Sequence, residues 1–227
     1  MYKKYIKRAI DFALSLMAII VLSPVLLIMT ILGFIQMKGN PFFTQIRPGK
    51  DEKLFKLVKF RTMTNEKDPE GNLLPDEARL TAYGKFLRAS SLDELPELFN
   101  ILKGDMAIIG PRPQLVRDMV FMSDEQRKRH SVRQGLSGLA QVSGRNAISW
   151  ENKLNYDLEY IENITFLGDC KIILRTVASV FKSEGITADD MATAEDFGDY
   201  LLRNGKVSEE EYDNKQEEAR LLLLGIK

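Results

Sequence analysis

Cysteine and histidine are nearly missing from this chain. Of 227 residues, one is cysteine, Cys170, and one is histidine, His130. A lone cysteine excludes an internal disulfide framework and any multi-cysteine metal site. A lone histidine excludes histidine-rich metal sites and shifts acid–base work toward carboxylates. His130 sits in the polar stretch Asp124–Val132, where it reads as decoration of a helix surface. Net charge is missing too: 32 Lys and Arg balance 32 Asp and Glu, so the total gives no sign of a nucleic-acid partner. No Gly-x-x-x-x-Gly-Lys motif occurs, which leaves a P-loop nucleotidase without support.

Charge is also absent from Phe12 to Met37, about 26 residues, where about 20 suffice for a membrane-spanning helix. A secretory leader has a shorter apolar core and a small-residue cleavage site, which argues against processing. Ser23-Pro24 divides the run into arms of about 12 residues, each too short to cross the ~30 Å hydrocarbon layer alone. Proline removes one helical hydrogen bond, and Ser23 could bond a freed carbonyl and hold a bend. Two forms remain open, a spanning helix with a mild kink and a re-entrant helix that dips into one leaflet and returns. Lys3, Lys4, Lys7 and Arg8 precede the run, and Lys38, Arg47, Lys50, Lys53, Lys56 and Lys59 follow it. Two basic flanks favour the same side of the membrane, and so the re-entrant form.

Past the apolar run, Asn40–Gln45 and Leu54–Arg61 have strand patterns around a turn at Arg47-Pro-Gly-Lys50, which predicts a β-hairpin. Lys59 and Arg61 share one face of it, as a functional pair or as a solvated basic edge. Asn65–Asp76 is rich in turn residues and reads as loop; Arg79–Arg88 reads as helix.

The chain centres on Arg88-Ala-Ser-Ser-Leu-Asp-Glu-Leu-Pro-Glu-Leu-Phe-Asn-Ile-Leu-Lys-Gly-Asp105. Pro96 is tolerated only in a first helical turn, so a helix is predicted to start around Leu92–Leu95. Asp93 and Glu94 then lie near its positive end, which favours their charged forms by ~0.3–1 kcal/mol if exposed, and free N–H groups there can hold a phosphate. Ser91-x-x-Glu94 is equally a capping box, in which Glu94 ties off backbone donors. Farther on, Pro111 and Pro113 restrict the backbone around Arg112. A guanidinium locked near two acids suits phosphate, or a structural ion pair with Asp93, Glu94 or Asp105.

Gly135–Asn146 is a glycine-punctuated loop, Trp150–Asn163 an amphipathic helix, and Ile172–Phe181 a helix that Asp169 could cap. After Gly185-Ile186 the composition turns acidic, with capping signals at Thr187/Asp190 and Ser208/Glu211. This predicts three parts: a membrane helix over 1–38, a catalytic domain over 39–186, and a helical appendage over 187–227 whose role is packing or self-association.

Taken in order, the motifs resemble the bacterial sugar transferase family, the small monotopic phosphoglycosyl transferases. The matching stretches are Lys7-Arg8-x-x-Asp11, Leu22-Ser-Pro24, Phe43-Thr-Gln-x-Arg-Pro-Gly49, Lys59-Phe-Arg-Thr-Met63, Ser91-Leu-Asp-Glu-Leu95, Leu102-Lys-Gly-Asp-Met106, Gly110-Pro-Arg-Pro113, Gly135-Leu-Ser-Gly138 and Ala140-Gln-Val-x-Gly-Arg145. They cover Met1 to about Ile186, and the chain is similar in particular to the bacillosamine-phosphate transferase of bacterial N-glycosylation. The chain departs from the family pattern at Gln134 (usually proline), Leu139 (often tryptophan) and Ser143 (often asparagine).

The resemblance implies a mixed α/β, mostly helical monotopic membrane protein. Its N-terminal re-entrant helix is broken at Ser23-Pro24, and its body, with a small β-hairpin, lies on the cytoplasmic face of the bacterial inner membrane. The implied reaction moves sugar-1-phosphate from a UDP-sugar to undecaprenyl phosphate and releases UMP, with Mg2+. Asp93 is the implied nucleophile and metal ligand, and Glu94 the base. Arg88 and Arg112 would hold phosphate oxygens with Lys59 and Arg145, while Asp169 would serve the metal or the donor. Membrane lipid is an implied partner, nucleic acid is not, and homo-oligomerisation is left open. Two rivals keep the fold and change the outcome: a silent membrane-anchored scaffold, and a UDP-sugar hydrolase that uses water as acceptor.

Overall fold

The computed structural model describes residues 1–144, 148–182 and 195–225. The uncharged N-terminal run forms one helix, α1 (Lys7–Gln36), after a π-helical stretch over Tyr2–Ile6. The chain stays helical through Ser23-Pro24, so the break expected there is a weakening and not a non-helical segment. Pro24 has no N–H to offer the Ile20 carbonyl; the Ser23 hydroxyl donates to that oxygen instead, at 2.8 Å.

The most apolar window of α1 is only 6% buried within the protein, where the core helix of a soluble protein would be mostly covered. Ile20, Val21, Leu27, Ile31, Phe34 and Ile35 are each more than half exposed. A continuous apolar face of this length belongs in lipid, and the protein is membrane-associated. The opposite face is docked. Arg8 donates to the Ile101 and Leu102 carbonyls at 2.6 and 2.8 Å. Ala18, Ile19 and Leu22 join a core of Phe55, Leu57, Leu98, Ile101 and Met106, whose buried side chains each contribute about 1.5–3 kcal/mol. Tyr83 donates to the Met29 carbonyl at 2.7 Å. Helix α1 therefore rests on one body near both of its ends, the arrangement that the two basic flanks call for.

In that body, β1 (Phe42–Pro48) and β2 (Leu54–Phe60) make the expected antiparallel hairpin, with Lys59 opposite Phe43. The helix expected over Arg79–Arg88 is two, α2 (Asp76–Arg79) and α3 (Ala82–Ser90). They part at Thr81, whose hydroxyl caps α3 by accepting the Gly84 N–H at 2.9 Å. A Cβ on Gly84 would stand 1.9 Å from the Thr62 carbonyl oxygen, so only glycine lets α3 lie this close to the end of the hairpin. Next come α4 (Glu97–Lys103) and β3 (Met106–Ile109), which pairs in parallel with β4 (Gln134–Ser137). Between those strands run α5 (Val116–Met119) and α6 (Asp124–Arg127). The glycine-punctuated segment is thus partly ordered structure: after β4 comes α7 (Leu139–Val142). Helices α8 (Trp150–Glu162) and α9 (Phe166–Lys182) follow.

Farther along the chain, α10 (Phe197–Arg203) and α11 (Glu209–Leu224) pack on the body. Phe197 joins Met122, Trp150 and Leu154, and Ala219 joins Val116, Met119 and Val120. Ser208 accepts from the Glu211 N–H at 3.1 Å, as its capping signal predicts. The signal at Thr187/Asp190 falls outside the described residues.

Asp169 lies inside α9 and does not cap it. Its buried carboxylate accepts from Tyr2 at 2.6 Å, Lys7 at 2.6 Å and Tyr160 at 2.9 Å, and Tyr160 also donates to the Ile109 carbonyl at 3.0 Å. The start of α1 is thereby tied to α9, α8 and the end of β3. Removing one member of a buried charge pair strands the other. Asp169→Ala should cost about 3–5 kcal/mol of stability, read as a lowered denaturation midpoint of micelle-solubilised protein. An unchanged midpoint would show that this carboxylate does not anchor α1.

Candidate active site

The helix expected to start around Leu92–Leu95 starts there as a 3₁₀ turn and becomes α-helical only at Glu97. Ser91 takes a left-handed backbone (φ 56°) that closes α3, a 3₁₀ turn covers Leu92–Glu94, and α4 starts only at Glu97. Pro96 stands at the cap position of α4, where a missing N–H costs nothing. The two acids therefore precede α4 and owe little to its dipole. The capping-box alternative also falls, because Ser91 makes no side-chain cap bond and the Glu94 carboxylate is engaged elsewhere.

That engagement builds the site. Oε1 of Glu94 accepts from Lys59 Nζ at 2.7 Å and from the Arg112 guanidinium. Lys59 also reaches Glu97 Oε1 at 3.1 Å. Hairpin, 3₁₀ turn, α4 and the Pro111–Pro113 loop thus converge on one cluster of two cations and two carboxylates. Burial would raise the Glu94 carboxyl, but Arg112 and Lys59 outweigh it and hold the group well below the usual carboxylate range. A carboxylate so firmly ionised is a poor proton acceptor, and in this structure it holds two cations.

Asp93 is half-buried beside this cluster, and no described residue donates a hydrogen bond to its carboxylate. Burial pushes the group up to about 6, against the lowering effect of Lys59, Arg112 and Arg88 and with the help of Glu94. Among the described residues its oxygens are thus uncommitted by hydrogen bonds, as a nucleophile or a ligand for a hard cation requires. Among the described residues no three His, Cys, Asp or Glu side chains cluster for a metal. A single carboxylate still fits Mg2+, which binds through one or two carboxylates together with substrate phosphates.

Arg112 is held more firmly than its flanking prolines alone would hold it. Three successive carbonyls of its loop each accept a bond: Pro111 from the Gly135 N–H at 2.8 Å, Arg112 from Arg129 at 2.6 Å, and Pro113 from Arg47 at 3.1 Å. A Cβ on Gly135 would meet the Gly110 nitrogen at 2.1 Å, so this crossing needs glycine. Arg129 is fully buried and paired with Asp157 at 2.7 Å.

The sequence profile of the bacterial sugar transferases matches residues 2–183 of the chain. The chain belongs to the bacterial sugar transferase family. An uncharacterized sugar transferase, EpsL, of Bacillus subtilis is 44% identical over 192 residues, 85% of this chain and 95% of the relative. The undecaprenyl-phosphate galactose phosphotransferase of Salmonella typhimurium is 32% identical over 80% of this chain. The UDP-glucose:undecaprenyl-phosphate glucose-1-phosphate transferase of Klebsiella pneumoniae is 37% identical over 77%. The chain spans 42% and 40% of the last two. Their names carry two different sugars, neither of them bacillosamine.

In this sugar transferase, Asp93, Glu94, Lys59 and Arg112 come together as the family resemblance implies. Arg88 joins them from α3, held to Thr62 by a 3.1 Å bond. Asp169 takes other partners: its donors are Tyr2, Lys7 and Tyr160, so it secures the start of α1. Arg145 lies outside the described residues. His130 is buried, not surface decoration; burial and the Arg129 charge push it down to about 3, leaving it neutral.

Glu97, Asn100 and Arg129 carry no motif of their own. Asn100 accepts from the Val58 N–H at 3.1 Å and donates to the Lys56 carbonyl at 2.8 Å, fixing the strand register that delivers Lys59 to Glu94 and Glu97. Asn100→Leu strands both backbone groups at about 1–3 kcal/mol apiece. Asn100→Asp keeps only the acceptor half, so denaturant titration should rank wild type above Asp above Leu. Equal stability of all three would remove Asn100 from this role.

Proposed function

We propose that this protein transfers sugar-1-phosphate from a UDP-sugar to undecaprenyl phosphate at the cytoplasmic face of the bacterial inner membrane. The observation that carries the reading is an uncommitted, half-buried Asp93 beside two cations, Lys59 and Arg112, that Glu94 holds in place.

In the first step an Asp93 oxygen attacks the β-phosphorus of the donor. A phosphorus–oxygen bond forms, and the bond from that phosphorus to the bridging oxygen breaks. The electron pair leaves on UMP, and the sugar-phosphate stays on Asp93. In the second step an oxygen of undecaprenyl phosphate attacks the same phosphorus, the bond to Asp93 breaks, and the carboxylate is restored. A phosphate monoester has lost most of its second proton at neutral pH (pKa about 6), so this step needs no strong base, which agrees with Glu94 acting as anchor. Arg112, locked through its loop, and Arg88 bind phosphate oxygens. Lys59 neutralises charge as it builds on the transferring group. Bound Mg2+, held by Asp93 and the donor phosphates, would supply further charge neutralisation. The exposed face of α1 keeps the site beside the lipid acceptor.

The test is UMP release by micelle- or nanodisc-held protein given Mg2+, undecaprenyl phosphate and a panel of UDP-sugars. Release should require the lipid, and Asp93→Asn should abolish both release and a phosphosugar adduct detectable by mass spectrometry. Release without lipid would mark a hydrolase. A folded wild type that gives neither release nor adduct with any donor would overturn the reading in favour of a scaffold.

A further inference from the structure

Lys59 is shared by two carboxylates of unequal depth. Glu94 lies toward the site entrance, where it also takes Arg112; its side chain is 19% exposed. Glu97 lies beneath, on the first turn of α4, at 3%. Glu97 is too deep to touch a substrate, and among the described residues Lys59 is its only salt-bridge partner. The charged groups that act on it come from every side: Lys59 from β2, Glu94 from the 3₁₀ turn, Arg112 from the Pro111–Pro113 loop, and, more weakly, Arg47 from β1. The catalytic scheme above gives this buried acid nothing to do.

We propose that Glu97 is a positioning residue for phosphate recognition. It competes with the phosphate oxygens of the donor for the Lys59 ammonium, so Lys59 is released to substrate when Glu97 carries a proton and is retained when Glu97 is ionised. The geometry makes the two states different. An ionised Glu97 at 3.1 Å completes a two-carboxylate grip on one ammonium, while a protonated one leaves Glu94 alone on that side and removes a negative charge from behind the phosphate site. Burial, opposed by Lys59 and reinforced by Glu94, pushes the Glu97 carboxyl up to about 7, so both states are populated near neutral pH. Proton and phosphate binding are then reciprocally linked.

This inference rests on the reading that the site binds a nucleoside diphosphate, and the test separates the two. UDP is titrated calorimetrically into micelle-held wild type, Glu97→Gln and Glu97→Asp at constant Mg2+, from pH 6 to 8.5. The ligand's own titration is common to all three proteins and cancels in the comparison. Wild-type affinity should fall about tenfold more than that of the Gln variant across this range, a typical size for a coupling between two sites. The Asp variant, its carboxyl withdrawn by one methylene from Lys59, should lie between them and keeps the comparison usable if Gln fails to fold. In turnover, the same pH dependence should appear in kcat/KM for the donor and vanish in the Gln variant, a change of profile that a merely structural role for Glu97 would not produce. Parallel curves for wild type and variants would overturn the role of Glu97 and leave the function intact. Absence of UDP binding at any pH, in folded wild type, would overturn both.

Discussion

A single ammonium group at the end of a β-strand organises this molecule. Lys59 must find carboxylates because it is largely withdrawn from water, and the two it finds belong to the 3₁₀ turn and to the helix that follows it. Any displacement of β2 against α4 would separate these charges at a cost of several kcal/mol, as for other buried pairs. Asn100 prevents that displacement by bonding the strand's backbone on either side of Leu57. The same carboxylate that accepts from Lys59 also accepts from Arg112. The geometry of the candidate site and the stability of the fold are in this way one set of contacts, which leaves Asp93 as the neighbouring acid to which no described residue donates a hydrogen bond.

Around that centre the structure works by restraint of the backbone. The Arg112 loop is fixed by its two prolines, by three occupied carbonyls, and by a glycine crossing that no side chain could share. A guanidinium restrained in this manner binds phosphate with little ordering left to lose, which is where preorganised sites gain over flexible ones. The C-terminal helices extend the restraint. Phe197 and Ala219 cover the far side of α5 and α8, and the Phe197 N–H bonds Asp118, two residues beyond the loop's neighbour Val116.

Much of this was legible in the residues. Ser23-Pro24, the hairpin, the Asp93-Glu94 pair and Arg112 between its prolines are local patterns, and local patterns survive in sequence. The helix expected from Leu92–Leu95 opens as a 3₁₀ turn and becomes α-helical only at Glu97, because Ser91 turned left-handed and Glu94 found tertiary partners in place of backbone ones. His130 and Arg129 look like a polar surface when Asp157 of α8, which neutralises Arg129 in the interior, is out of view. The ion pair of Asp169 was out of view for the same reason: its partners Tyr2 and Lys7 lie at the other end of the chain. Glu97 was hidden by helical spacing, since an acid in a first turn ordinarily faces water and complements the dipole. In each case the missing information was a long-range contact, which neither propensity nor spacing encodes.

The docking of α1 has a consequence for how deep the chemistry lies. A helix free to tilt would let the site rise and sink with the thickness of the surrounding bilayer. Here the helix is fastened at Arg8 and Asp169 near its start and at Tyr83 toward its end. Tilt of the helix is therefore tilt of the whole protein. The protein carries its own ruler: the distance from Asp93 to the apolar face of α1 is set by these contacts.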